Sequence, residues 1–348
     1  MVVHVDQLSF FDISFTLYKM AHQYKKSYPF YYQEVFFDTV ANQCIEMKAN
    51  LRNSMYVMRQ LARLRHFHKN LLDYVSKLVY DDPHQPCHPI DCFSLVIALA
   101  LTDYKPVHWD AIRDWIRNAR DLGLENKKEI LWIRFAASLC VLGIYKADVL
   151  SRTLSSSYVE HLLSKGFMSD FENYFTIWKM LNIYNPDLAD LLPSNLEPKL
   201  LVDRINLVKD YPLEAPLEKC LGGPEFLLTK LYSKLGDIID HAMVFDRNGC
   251  PVNLNPVTFI EDIDLHNDNQ LVLILDLHES HYTINDKRLR LSVIKSIEIL
   301  ESTVPNCNVI PISNDSWNEL EEFERLPYLT QKIKEKLDLD ISVSHQIV

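Results

Sequence analysis

The sequence predicts a chain of the α + α/β class, with helical hairpins in the amino-terminal half and a small α/β module in the carboxyl-terminal third. Three observations predict it. Segments of similar pattern return about every forty residues as far as residue 185. An unbroken apolar run at residues 271–275 opens a strand, helix, strand, helix succession. A proline-rich stretch separates the two parts, with Pro186, Pro193, Pro198, Pro212, Pro216 and Pro224.

In the helical part, the stretches LYKMAHQYKKSYPFYYQEVF, MRQLARLRHFHKNLLDYVSKLV, ALALTDYKPVHWDAIRDWI, SLCVLGIYKADVLSRTL and WKMLNIYNPDLADLL share one pattern. Each reads as an apolar helix, a short turn holding an aromatic or a lysine, and a second helix. Ala21, Ala62, Ala100, Cys140 and a position near Lys179 hold comparable places, in steps of 41, 38, 40 and about 39 residues. Such periods fit α-solenoid-like helical hairpin repeats, in which each pair buries its face against its neighbours. A non-repetitive helical domain is the rival reading. The helical-repeat domain is placed at residues 1–185 and the proline-rich junction at 186–224.

Two helices in this part are candidate nucleic-acid surfaces. Between residues 47 and 72 stand Lys48, Arg52, Arg59, Arg63, Arg65 and Lys69, with no Asp or Glu. At about 100° per residue, Tyr56, Arg59 and Arg63 share a sector opposite the stripe of Met55, Met58, Leu61 and Ala62. An exposed aromatic beside guanidiniums can stack a base and pair phosphates, as single-stranded RNA requires. The RNA-binding candidates are therefore Lys48, Arg52, Tyr56, Arg59, Arg63 and Lys69. The plain alternative is a solvated face with a snorkelling tyrosine. In the second helix, Arg113, Arg117 and Arg120 flank the stripe of Trp109, Ile112 and Ile116. Asp110 and Asp114 are spaced to pair with them, which favours a structural role there.

The α/β module is expected to begin with a helix over residues 225–235. A hairpin follows, with strands at 238–245 and 250–254 around Asp246-Arg247-Asn248-Gly249, where Asn-Gly supplies the positive φ angles of a tight turn. Glu261, Asp262, Asp264 and Asp268 make an acidic connection, read as a solvated loop rather than a metal site. The run at 271–275 suits a strand buried on both faces and ends at Asp276. Leu289, Ser292, Ile294, Ile297 and Leu300 recur at helical spacing. Residues 309–312 form a second apolar run, and residues 320–337 are helical again. Two strands crossed by one helix are expected to be parallel.

Ser280-His281-Tyr282, Lys295, Val309-Ile310-Pro311, Trp317-Asn318 with Leu320, and Tyr328-Leu329 together resemble the RAP domain. Upstream, Ile239-Asp240, Val244-Phe245-Asp246, Asn248-Gly249 and Pro251-Val252 resemble the preceding hairpin. INLVKDYPLEAPLEKCLGG faintly resembles the short FAST-like segment before it. The RAP domain closes the FAST kinase (Fas-activated serine/threonine kinase) family of mitochondrial RNA-binding proteins. The resemblance implies a restriction-endonuclease-like fold for residues 225–341, followed by a tail at 342–348. It implies a place in the mitochondrial matrix and a role in RNA processing, stability or translation. The implied partners are single-stranded RNA and other mitochondrial RNA-processing proteins, with no DNA specificity. His281 and Trp317 are then RNA contacts or packing residues.

The implied fold also raises an endoribonuclease alternative. Such enzymes set two carboxylates and a lysine around Mg2+. Asp276 at the strand end is the candidate, with Asp240, Asp246 and Glu279 as possible partners. Two departures weigh against activity. His278 stands where a lysine is expected, and the family's Asp-Gly step falls on Leu277-His278, so Asp276 matches only if the register slips by one. Apart from Mg2+ in that alternative, no cofactor is expected. With 7 glycines in the chain there is no glycine-rich phosphate loop, so kinase chemistry is unsupported.

The formal net charge of −11 divides unevenly. Residues 1–200 carry 22 Lys+Arg and 22 Asp+Glu, leaving 14 and 25 for the remainder. The acidic excess thus lies after residue 200. This balance favours the second alternative, a protein-binding scaffold without RNA affinity. The 7 cysteines include no Cys-x-x-Cys and sit mostly in apolar segments, which reads as reduced, buried thiols. His84, Cys87, His88 and Cys92 cluster among prolines but match no usual zinc spacing, so an interhelical loop is expected. No apolar run is long enough to predict a membrane span. The first arginine is Arg52, and Asp6 and Asp12 interrupt the start. A matrix protein of this kind is expected to carry its presequence outside these residues.

Overall fold

The computed structural model describes residues 9–25, 32–85, 88–119, 131–205 and 209–337. The chain divides into two units, Met1–Thr153 with Ser280–Ile294, and Leu154–Glu279 with Lys295–Val348. Among the described residues, no helix is long and apolar enough to cross a membrane.

The first unit is helical. Its elements are α1 (Phe10–Lys25), α2 (Glu34–Glu46), α3 (Leu51–Arg63), α4 (Lys69–Asp81), α5 (Pro89–Leu99), α6 (Trp109–Asn118), α7 (Trp132–Val141) and α8 (Ala147–Thr153). Alternate helices pack on one another: α1 on α3, α3 on α5 and α5 on α7, while α2 packs on α4 and α4 on α6. Local chemistry marks the start of three of these helices. Asn50 accepts from the Asn53 amide, His68 from that of Leu71, and His88 precedes a proline at the first position of α5.

Polar bonds tie neighbouring helices together. The Tyr56 hydroxyl donates to the Ser14 carbonyl at 3.2 Å, joining α3 to α1. Arg59 Nε donates to Ser94 Oγ at 2.8 Å and its terminal nitrogen to Asp91 at 2.9 Å, joining α3 to α5. Lys146 Nζ donates to the Arg117 and Ala119 carbonyls at 3.0 and 3.1 Å, which satisfies acceptors left over at the end of α6.

The segment Ser280–Ile294 completes this unit. Within it, Tyr282 and Leu289 pair in an antiparallel bridge. The Ile284 amide donates to the Arg65 carbonyl at 2.9 Å. Asn285 grips the backbone of Phe67 from both sides, accepting from its N–H at 3.0 Å and donating to its carbonyl at 2.8 Å. The Arg288 guanidinium lies 5.2 Å from the Phe67 ring centroid.

The second unit joins helices to a four-stranded sheet. Before the sheet come α9 (Ser156–Leu163), α10 (Met168–Tyr184), α11 (Pro198–Leu201) and α12 (Glu214–Leu221). The strands are β1 (Leu228–Tyr232), β2 (Ile238–Phe245), β3 (Gln270–Leu277) and β4 (Cys307–Ser313), in spatial order 1-2-3-4. β1–β2 and β2–β3 are antiparallel, and β3–β4 is parallel. The crossover from β3 to β4 carries α13 (Leu291–Thr303), and α14 (Asn314–Asn318) and α15 (Glu322–Lys336) follow. Met243, Phe245, Val272, Ile274, Ile310 and Ile312 form one core with Leu213, just before α12, Leu217 of α12, Trp317, and Leu329 and Ile333 of α15. Leu271, Leu273 and Leu275 alternate to the other face and are also buried, as the apolar run requires.

Three expectations are corrected. Residues 225–235 are not a helix: a short 3-10 turn at Pro224–Phe226 leads into β1. Pairing with β2 decides the matter, because it supplies hydrogen bonds that the edge of β2 would otherwise lack. The arm at 250–254 is reduced to one bridge between Phe245 and Pro251, flanked by the Asp246 amide on the Cys250 carbonyl and the Val252 amide on the Val244 carbonyl, after which the Leu254 amide turns to the Glu225 carbonyl instead. In the fifth hairpin, α10 is followed by a 3-10 helix at Pro186–Leu191 rather than by a second α-helix.

Candidate nucleic-acid interface

In the helical unit a cleft of about 210 Å3 lies beside α1, α3 and α5, lined by Phe10, Ser14, Arg52, Asn53, Tyr56, Arg59, His88, Ile90 and Asp91. The first turns of α3 and α5 border it, so amide N–H groups and the positive ends of two helix dipoles add to the guanidiniums. Asn53 brings an amide and His88 an imidazole, whose Nδ1 accepts from the Ile90 amide at 3.4 Å. Burial pushes the Tyr56 hydroxyl above its ordinary value, so the ring stays neutral at physiological pH. The Arg59 guanidinium lies 5.9 Å from the Tyr56 ring centroid.

The sequence-selected residues separate here. Arg52 and Arg63 are exposed on α3. Arg59, expected to be a free phosphate contact, is instead tied to Ser94 and Asp91 and clamps two helices. A helical wheel with one buried stripe misses this because α3 packs on α1 on one side and α5 on the other. Tyr56 is half-buried and hydrogen-bonded rather than fully presented. Lys48 is exposed at the end of α2 with φ of 51°. Lys69 opens α4, its Nζ 5.5 Å from the Tyr104 ring centroid. His281 lies in the segment that completes the helical unit, its carbonyl accepting from the Arg290 amide. Trp317 is 1% exposed within the core of the second unit, which corrects its reading as an RNA contact. Asn53 was not singled out in the sequence, and His88 only as part of the cluster with His84, Cys87 and Cys92, because neither joins the arginines until α5 is placed against α3.

In the second unit, the sheet brings together two of the four carboxylates proposed for catalysis. Asp276 is near the carboxyl end of β3. The β1–β2 register passes from Thr229 and His241 to Leu231 and Ile239, skipping Lys230 and Asp240, and Lys230 has φ of 63°. The β2–β3 ladder starts only at His241. Released from both ladders, Asp240 turns its Oδ2 to accept from the Asp276 amide at 2.7 Å. Lys209 Nζ donates to Asp240 Oδ1 at 2.6 Å and to the Asp276 carbonyl at 2.7 Å, and stands 4.0 Å from Asp276 Oδ2. The Asn314 amide, turned with its nitrogen toward the carboxylate, donates to both Asp276 oxygens. Sequence reasoning missed Lys209 and Asn314, one in the proline-rich junction and the other just past β4, where no periodic signal marks them.

Asp246 is excluded from the group. It sits past the other end of β2, about 20 Å along the strand from Asp240, and accepts from the Asn248 and Cys250 amides in the turn. Glu279 is exposed in the 3-10 turn after β3, outside the buried pair. Burial pushes the Asp276 carboxyl up to about 6, the opposing Lys209 charge notwithstanding, and Asp240 adds to the rise. Burial raises Asp240 as well, against the pull of Lys209. His241 is fully buried and pushed down to about 4, first by burial and then by the Lys209 charge.

These residues do not suit Mg2+. The two carboxylate side chains are 4% and 1% exposed and already share the Lys209 ammonium, whereas Mg2+ needs open positions for its waters and for phosphate oxygens. Among the described residues, no group of three or more His, Cys, Asp or Glu side chains is placed to hold a metal ion. In the sequence cluster of His84, Cys87, His88 and Cys92, Cys87 lies outside the described residues. His88 caps α5, and Cys92 is buried.

No protein-family model matches the chain, and no curated protein matches it.

Proposed function

We propose that the chain is an RNA-binding protein acting in the processing, stability or translation of mitochondrial RNA, built from an α-solenoid-like helical array and a RAP-like module of the FAST kinase type. The observation that carries the RNA reading is the α1, α3 and α5 cleft, which places guanidiniums, an aromatic ring, an amide and an imidazole around a space of about 210 Å3. Arg52 and Arg63, exposed on one helix, take phosphates. Tyr56 offers a ring, and Asn53 and His88 offer donors and acceptors to the edges of an unpaired base. Arg59 acts as a positioning residue that holds α5, and with it His88, against α3. The mitochondrial assignment and the protein partners rest on the family resemblance alone.

The test is fluorescence anisotropy with a short mixed single-stranded RNA across a salt series. Binding should weaken steeply with salt, and the variant carrying Arg52→Ala and Arg63→Ala should lose about 0.7 of slope per removed contact with an unchanged melting temperature. Wild-type affinity and slope in that folded variant would rule out the surface as the RNA site. No binding by the wild type at low salt would leave the protein-binding scaffold as the better reading. The endoribonuclease alternative is favoured by the meeting of Asp240, Asp276 and Lys209 and opposed by their enclosure. Product gels run with Mg2+ beside the anisotropy read it directly: cleavage lost in Asp276→Ala would establish it.

A further inference from the structure

The inner face of α1 is aliphatic: Ile13, Leu17 and Ala21 are buried. Its outer face is a different kind of surface. Phe11, Phe15 and Tyr18 are 77%, 55% and 42% exposed, and His22 is exposed beside them. Their spacing stacks them along one side of the helix. The rings pair in near-parallel fashion, Phe11 with Phe15 at 6.4 Å and 13°, and Tyr18 with His22 at 5.9 Å and 13°. Lys19 Nζ stands 5.2 Å from the Phe15 ring centroid. The acid of this helix, Asp12, is held by Ser9 at the first turn.

We infer that the outer face of α1 is a stacking platform for unpaired bases, extending the cleft into a path for a single strand; the inference rests on the RNA reading above. Two features support this occupant. The exposed groups are flat rings set in line along the helix with a cation beside them, the combination that takes the faces of bases and the charge of phosphates. The platform is also continuous with the cleft: Phe10 and Ser14 of the same helix line it, and Tyr18 is close enough to bear on the Tyr56 hydroxyl. A strand whose phosphates meet Arg52 and Arg63 is thereby led toward Lys19 and the exposed rings. Every base has a face to stack, so the platform grips single strands with little regard to sequence. A duplex, whose bases already stack on each other, gains nothing from it.

The test compares a short single-stranded RNA with its duplex by anisotropy, using the full chain and two double variants. In the first, Phe11→Ala with Phe15→Ala, single-strand affinity should fall about 5- to 100-fold per ring removed, while the salt slope and duplex affinity stay at wild-type values. The second, Phe11→Leu with Phe15→Leu, keeps apolar area but removes flat rings, and should lose affinity as the first does. Both positions are exposed, and circular dichroism confirms that the variants fold. Wild-type affinity in the leucine variant would overturn the inference, as would an equal loss for duplex. A wild-type dimer that the alanine variant dissociates would show that a second copy covers this face. Loss of binding in the Arg52/Arg63 variant but not in the phenylalanine variants would sink the platform and leave the RNA reading standing. No binding by the wild type would sink both.

Discussion

Replacing Asp276 by asparagine should make the protein more stable at neutral pH, although it removes a group with several bonds. The side chain is 1% exposed, and burial pushes its carboxyl up to about 6 in the folded chain, against an ordinary value of 3.8. Carrying it ionised at pH 7 therefore costs about 3 kcal/mol of folding free energy. The folded state binds the extra proton, so the contribution is fully present below pH 3.8 and is lost as pH rises through about 6. Asn314 donates to both oxygens and favours the ionised form, which trims the gain expected for Asp276→Asn to about 1–3 kcal/mol. Asparagine keeps an acceptor for Asn314, and Asp240 remains as the counter-ion of Lys209. Urea unfolding, followed by tryptophan fluorescence on both proteins at several pH values, isolates the effect, because other titrating groups cancel in the difference. The advantage of the variant should grow between pH 4 and pH 7. A variant that loses stability over that range would refute the reasoning and show that Lys209 and Asn314 hold Asp276 ionised in the native state.

Two further outcomes are expected. Lys179 donates to Asp237 and, at 2.7 Å, to Ser296, with the paired side chains 6% and 8% exposed. Lys179→Met should cost about 3–5 kcal/mol by leaving a buried carboxylate uncompensated, and Asp237→Asn added to it should recover part of the loss. A single variant within about 1 kcal/mol of wild type in urea unfolding would contradict this. Trp317→Ala should cost about 3–5 kcal/mol, because it opens a cavity in the core between β4 and α15, yet leave RNA affinity unchanged below its melting temperature. A lost affinity in the folded variant would return Trp317 to the interface.

The parallel pair β3 and β4 and the helix between them were legible because an unbroken apolar run, a helical period and a second run suit few arrangements besides two parallel strands and a crossover helix. β1 was not legible. Leu227, Leu228, Leu231 and Tyr232 fit one face of a helix as well as a short strand, and only pairing with β2 separates the two. Of the spaced positions, Ala62, Ala100 and Cys140 fall within one residue of the ends of α3, α5 and α7, whereas Ala21 falls four residues before the end of α1. Lys179 fits the same numerical series but serves a buried ion pair in the second unit, so the period does not extend to it in function. Of the site residues, Arg52 and Arg63 were readable as exposed cations. Arg59 was not separable from them, because its partners Asp91 and Ser94 lie on another helix more than thirty residues away. The meeting of Asp240 with Asp276 depends on a local break in both ladders, which leaves no trace in hydrophobic pattern.

The grip of Asn285 on Phe67 bears on the order in which the chain can fold. These bonds span 218 residues, while the helices they complete are otherwise joined by near neighbours in sequence. During synthesis the helical unit can assemble its helices early, but Phe67 and Arg65 must wait for partners until most of the chain has left the ribosome. Fragments cut anywhere between these positions carry an unfinished helical unit, and a soluble amino-terminal fragment is therefore not a faithful stand-in for that unit in the whole protein.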